Sequence, residues 1–229
     1  MTDSLNSPIY RRIHLSMVVF ENLLPPEDLP RFRGAVIAMT GGDRLFHNHV
    51  DAGYSYRYPR IQYKQFDGHP AILGIEEGAD ILRKNFTSGQ GIRCRIGNRE
   101  ELLKVSSVGD WHEGIGISNE IHSYAIENWL PLNERNFREY QGADGIIERL
   151  SILQRVLVGN ILSFAKGMDI YFSQEIKCTI QQISADGPLT YKGIDLLRFS
   201  ASFRSNVKLP QWIGLGKSAS QNHGIIIHL

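Results

Sequence analysis

YRYPRIQYKQFDGHPAILGIEEGADILRKNF, Tyr56–Phe86, is the stretch on which the fold turns. Asp67-Gly68 is a strong two-residue hairpin signal, because the tight turns that join antiparallel strands need φ > 0. It joins two runs, Tyr56 to Lys64 and His69 to Gly74, rich in aromatic and aliphatic residues, and both read as strands. Pro59 cannot donate to a sheet ladder, which confines the first strand to an edge or a bulge. Glu76 to Phe86 follows with acids at its start and Arg83-Lys84 near its end, the charge order that suits a helix dipole.

On the N-terminal side, Ile9 to Phe20 carries Ile13, Val18, Val19 and Phe20 and reads as a strand ended by Pro25 and Pro26. Pro30 suits the first helical position, and the helix it opens runs through Phe32, Ala35, Val36 and Met39 to Gly41-Gly42. On the C-terminal side, Ile92 to Ile96 and Leu102 to Val105 supply closing strands. The order β-α-β-β-α-β is that of a ferredoxin-like (RRM-like) unit.

The second half repeats the plan more loosely. Tyr124 to Leu130 is a strand, and Asp144 caps a long helix whose apolar stripe is Ile146, Ile147, Leu150, Leu153, Leu157, Ile161 and Ala165, ending at Gly167. Strands follow at Ile176 to Ile183, Leu196 to Val207 and Ile225 to Leu229, with a glycine-rich segment, Gly214 to Gly224, between the last two. A boundary in the Gly109 to Ser118 region divides the chain into domains 1–112 and 113–229. The expectation is an α+β protein of two such domains.

Composition excludes several classes. At 229 residues, 42% hydrophobic and 21% charged, the chain is neither disordered nor fibrous. No apolar run reaches the ~20 residues of a membrane span, and MTDSLNSPIYRR has no secretory core. Cys94 and Cys178 stand alone, without zinc or disulfide spacing, so a reducing, cytoplasmic setting is expected. A net charge of +1 is low for a nucleic-acid binder. The charge is unevenly spread, though: Leu196 to the C-terminus holds Arg198, Arg204, Lys208 and Lys217 and no acid, and Arg93, Arg95 and Arg99 form a second cluster. Such stretches can hold a polyanion locally or be ordinary solvated faces.

His47-Asn48-His49 follows the first helix and precedes the tyrosines Tyr54, Tyr56 and Tyr58. Imidazole titrates near neutrality, so one ring can accept a proton while another gives one. Cleavage of RNA by its own 2′-hydroxyl needs both acts, and a third group to steady charge on phosphorus. In an extended segment residues i and i+2 share a face roughly 6.6 Å apart, which lets two rings flank one phosphate. The bare pair is equally the pattern of half a metal site or of two surface histidines; a metal is disfavoured because Asp51 is the sole nearby further donor. Alternation puts Tyr54, Tyr56 and Tyr58 on one face, suited to base stacking, and leaves Tyr63 to the core. His14, His69, His112 and His122 read as bystanders. In Gly214–Gly224 the glycines allow close backbone approach and N–H groups can cradle an anion, though a purely structural hairpin fits as well and the P-loop spacing is missing. Asn222 is of a type that tolerates φ > 0 there.

Together FHNH with GYSYRYPRIQYK (His47 to Lys64), PAILGIEEGADIL (Pro70 to Leu82) and WIGLGKSAS (Trp212 to Ser220) resemble the CRISPR-associated repeat-processing endoribonucleases, the Cas six family, most closely its b-type branch. The resemblance covers essentially the full length. It implies tandem ferredoxin-like domains with a C-terminal glycine-rich loop that helps bind RNA. It implies metal-independent cleavage of CRISPR repeat RNA in the precursor transcript, giving mature crRNA with 5′-hydroxyl and 2′,3′-cyclic phosphate (or 3′-phosphate) ends, and no cofactor. Its catalytic residues map to His47, His49 and Tyr56, with the acid and base left unassigned between the histidines and Tyr56 orienting the scissile phosphate or assisting proton transfer. The RNA-gripping residues map to Gly214, Gly216, Lys217, Ser218, Ser220 and Gly224. The implied partners are CRISPR repeat RNA, subunits of a CRISPR effector complex and a second copy of the chain in a homodimer, with no membrane. One departure is that Gln221-Asn222-His223-Gly224 replaces the usual basic residue and Gly-hydrophobic-Gly ending. Two other readings compete: a crRNA-binding subunit that has lost its chemistry, and a small-molecule α+β enzyme.

Overall fold

A computed structural model describes residues 10–47, 58–86, 91–191 and 193–229. They form two compact units. Ile13–Glu113 and Ser220–Asn222 make the N-terminal one. Gly114–Ala219, His223–Leu229 and the described residues before Ile13 make the C-terminal one.

The N-terminal unit contains β1 (Arg11–Phe20), α1 (Leu29–Met39), the short α2 (Arg44–His47), β2 (Ile61–Phe66), β3 (His69–Ile75), α3 (Glu77–Phe86), β4 (Ile92–Ile96), β5 (Arg99–Leu103) and the first part of β6 (Val105–Trp129). Its sheet runs β2-β3-β1-β6, antiparallel between β1 and β3 and between β2 and β3. Asp67 and Gly68 have φ of 50° and 84°, the double positive φ of the turn that matches sheet twist. Side chains alternate across the strands. Val18, Phe20, Ile61, Tyr63 and Ile72 bury one face in a core with Phe32, Val36, Phe46, Leu82 and Phe86 from the helices. Met17, Ala71 and Leu73 are buried on the other face, together with Gln62 and Lys64.

Two expectations are corrected here. The strands at 92–96 and 102–105 do not close the sheet. β4 and β5 pair only with each other as a two-stranded ribbon, and Ile96 and Leu103 insert into the core. The closing strand is β6, 25 residues long, which runs through the Gly109 to Ser118 region, and the two units divide inside that region, between Glu113 and Gly114. At Gly114 the glycine answers to crowding rather than flexibility: a Cβ there would stand 3.2 Å from Tyr10 Cβ. The strand expected from Tyr56 begins only at Ile61, and Pro59 lies outside it.

The C-terminal unit continues with the rest of β6, α4 (Glu134–Gly142), α5 (Ile146–Gly167), β7 (Cys178–Tyr191), β8 (Ile194–Lys208) and β9 (Ile225–His228). The order β7-β8-β6-β9 is again second, third, first, fourth in order of appearance. Each unit is thus ferredoxin-like. Between β8 and β9, where a second helix belongs, no helix forms among the described residues and the glycine-rich segment stands in its place. α5 buries Leu153, Leu157, Ile161 and Ala165, but Ile146 and Ile147 are 73% and 84% exposed rather than part of the stripe. Gly145, at φ 93°, is the N-cap in place of Asp144, whose N–H instead bonds Glu148 Oε2 at 2.5 Å. Among the described residues no helix is long and apolar enough to cross a membrane.

Two predictions test this packing. A Cβ on Gly78, at the start of α3, would fall 2.2 Å from the Arg60 carbonyl oxygen. Gly78→Ala therefore lowers unfolding free energy in urea by about 1–3 kcal/mol, and unchanged stability would contradict so close an approach. Burial lowers the Lys64 amine from 10.5 to about 7. Between those values the unfolded chain holds a proton that the folded chain does not, so this group makes stability rise with pH from about 7 towards 10.5. Lys64→Met flattens that rise in urea midpoints taken at pH 7 and 9.5; parallel profiles for the two proteins would refute it.

Candidate active site

His47 is the last residue of α2 and is exposed. The helix is only four residues long, too short to be stable alone, and is held by its surroundings. Asp43 Oδ1 accepts the Leu45 N–H at 2.9 Å at its start. Phe46 is fully buried in the core. At its end, the carbonyl of Phe46 accepts the Tyr63 hydroxyl at 3.3 Å, and that of His47 accepts Arg33 Nη2 at 2.8 Å. Two carbonyls that the short helix leaves without an internal partner are thereby satisfied.

Arg33 also lies over the Tyr63 ring, 5.9 Å from its centroid, and Phe32 packs edge-on to it at 6.1 Å. Burial pushes the Tyr63 phenol well above its ordinary range, with Arg33 opposing, so the hydroxyl is a permanent hydrogen-bond donor. His49, Tyr54 and Tyr56 lie outside the described residues. Tyr58 is half-buried, and its hydroxyl accepts Gln62 Nε2 at 2.8 Å.

The backbone of Tyr63 makes a second set of contacts. Its N–H bonds the Ser220 carbonyl at 2.8 Å and its carbonyl accepts the Asn222 N–H at 2.9 Å, a short parallel bridge on the edge strand β2. Asn222 Oδ1 takes the Gln65 N–H at 3.0 Å, and Asn222 has φ 59°. The ending that departs from the family pattern thus works structurally. So does His223, whose Nδ1 lies 3.1 Å from the Asn128 carbonyl and must donate to it.

Apart from Ser220–Asn222, which belong to the N-terminal unit, the glycine-rich segment is a built hairpin in the C-terminal unit. Leu215 N–H bonds the Gly224 carbonyl at 2.8 Å, and Gly224 N–H bonds Asn128 at 3.1 Å. A Cβ on Gly224, at φ 64°, would lie 1.9 Å from the Leu215 oxygen, and one on Gly214 would lie 2.5 Å from the Ala219 oxygen. Both glycines are buried, so their space is filled by protein. Gly216, at φ 88°, packs on Asn160 and Trp129, whose indole N–H donates to Asn160 Oδ1 at 2.9 Å. Lys217 is exposed beyond them, its N–H bonded to the Leu130 carbonyl at 3.2 Å, and Ser218 and Ser220 are half-buried.

Of the other basic residues, Arg198 donates to the Asp186 carbonyl at 2.9 Å, Lys208 lies 5.4 Å from the Tyr10 ring centroid, and Arg99 pairs with Asp28 at 2.7 Å. Arg204 is exposed. Sequence reading placed Tyr63 in the core but missed its hydroxyl and backbone contacts, and missed Arg33. An arginine on a core-facing helix next to Phe32 is the one signal that pointed to it.

Models of the Cas6b N-terminal domain and the Cas6b C-terminal domain match residues 11–112 and 116–229. A crystal structure of Cas6b superposes with a TM-score of 0.85 at 27% identity, covering 96% of this chain and 100% of that one. A crystal structure of the CRISPR RNA processing endoribonuclease Cas6b gives 0.71 at the same identity and coverage. An uncharacterized protein of Methanocaldococcus jannaschii, MJ0978, is 30% identical over 118 residues, 51% of this chain and 79% of that protein. With both domain models matched in order along nearly its whole length, the chain belongs to the Cas6b family.

Proposed function

We propose that the chain is a metal-independent endoribonuclease that cuts CRISPR repeat RNA within the precursor transcript to release mature crRNA. The observation that carries this reading is the match of both Cas6b domains, joined to an exposed histidine fixed at the end of a helix. In this mechanism one of His47 and His49 removes the proton of the 2′-hydroxyl, whose oxygen attacks the adjacent phosphorus. The other protonates the departing 5′-oxygen. The products carry a 2′,3′-cyclic phosphate and a 5′-hydroxyl. Tyr56 orients the scissile phosphate. Domain 1–112 carries this chemistry, and domain 113–229 carries the loop that grips RNA.

Within that loop the residues divide by role. Lys217 meets the RNA phosphates directly, and Ser218 and Ser220 supply polar contacts. Gly214, Gly216 and Gly224 give the hairpin the shape that presents them, because a side chain at any of the three collides with protein. Effector-complex subunits and a second copy of the chain are further partners, and the cytoplasm is the setting.

The test is incubation of the purified protein with repeat RNA in excess chelator. A single cut is expected. His47→Ala or His49→Ala slows it by roughly 10²–10⁴-fold, the usual contribution of a general acid or base. Cleavage that needs a divalent ion would overturn the mechanism. Tight binding without a product would make the protein a crRNA-binding subunit instead.

A further inference from the structure

Between α4, α5 and the glycine-rich hairpin lies an open groove of about 660 Å³, entirely within the C-terminal unit. Arg135, Arg155 and Lys217 line it. Glu139 is the one carboxylate among its lining residues; it accepts Arg135 Nε at 3.2 Å through Oε1 and Arg155 through Oε2. These bonds, Arg155 foremost, hold the Glu139 carboxyl below the ordinary range, so it stays ionised near neutral pH. Three cations against one carboxylate leave the groove positive. The shared carboxylate also orients two guanidiniums, whose remaining N–H groups match a phosphate. The N-terminus of α4, capped by Asn133 accepting the Asn136 N–H at 2.8 Å, opens on the same groove and adds partial positive charge.

The floor of the groove supplies the second observation. Gly159 sits in the interior of α5, exposed, and a Cβ there would meet nothing within 4 Å. The fold therefore has room for alanine at a position where glycine weakens the helix. Gly214 and Gly224 differ, because protein fills their space. Gly159 leaves the floor bare beside the cations, which lets a ligand backbone lie against the helix. An open trough suits a polymer better than a small molecule.

Resting on the endoribonuclease reading, we infer that the α4–α5 groove is a second RNA-binding site, in which Arg135, Arg155 and Lys217 hold phosphates of the RNA backbone against Gly159. The groove extends the hairpin's grip from one lysine to a path along two helices. It replaces, from the helices, the basic residue that the hairpin's ending lacks.

The experiment measures repeat-RNA affinity against salt concentration in a His47→Ala background, alongside thermal melting. Gly159→Ala raises Tm by about 2–4 °C, as expected from helix propensity in a chain of this size, yet weakens RNA binding. A purely structural glycine would not move the two readouts in opposite directions. Arg135→Ala with Arg155→Ala weakens binding by about tenfold or more and reduces the slope of log affinity on log salt by roughly 0.7 for each phosphate the groove no longer neutralises. Arg138→Ala, an exposed arginine outside the groove lining, keeps wild-type affinity. RNA binding and salt slope unchanged in both groove variants would overturn the inference and leave the endoribonuclease reading standing. If the parent protein neither binds nor cuts repeat RNA, both fall.

Discussion

Tyr63 stands on an edge strand with its ring in the core and its backbone at the rim of the sheet, and three segments of the N-terminal unit meet on it. Its hydroxyl takes the carbonyl of Phe46, one residue before the first candidate histidine. Its ring carries Arg33, which takes the carbonyl of His47 itself. Its peptide groups bond Ser220 and Asn222, far along the chain. A four-residue helix cannot hold a candidate catalytic side chain by its own hydrogen bonds. The position of His47 is inherited from the packing of a tyrosine sixteen residues later, and its precision from the rigidity of that core.

The C-terminal unit handles the same demand with different means. It follows the same strand order, yet gives up the second helix of the plan for a hairpin whose glycines are required by contact with protein. Gly224 against Leu215, Gly214 against Ala219 and Gly216 against Asn160 leave no room for a side chain. Rigid glycines of this sort do not make a flexible loop. They form a fixed base from which Lys217 projects.

The readable parts of the sequence were those where the pattern is local. Asp67-Gly68 requires a tight turn, Pro30 opens α1, and the period of Leu153, Leu157 and Ile161 specifies α5, so these elements stand where expected. β6 was hidden because Gly109, Gly114 and Gly116 carry the usual mark of a linker, while in the fold Gly114 yields space to Tyr10. β4 pairs with β5 across the adjacent Gly97-Asn98 turn, a local hairpin; what the sequence hid is that this ribbon stays apart from the main sheet, which depends on contacts distant in sequence. α4 has no buried residue, hence no apolar stripe to read, and is held by its Asn133 cap and by ion pairs such as Arg135–Glu139. At the candidate site, His47 drew notice from its chemistry and sequence neighbours. Its supports did not, because Tyr63 and Arg33 act through a hydroxyl and a guanidinium aimed at carbonyls distant in sequence.

What unites the two histidines, the hairpin and the groove is a single chemical claim: the RNA supplies its own nucleophile, and the protein holds it and moves protons. Repeat RNA carrying one 2′-deoxynucleotide immediately 5′ of the scissile phosphate tests this most directly. The account predicts that the substituted RNA binds with unchanged affinity and is not cut at that bond, while the all-ribose RNA is cut there. Cleavage of the substituted RNA at the same bond would contradict it, because the attacking oxygen would then have to come from water.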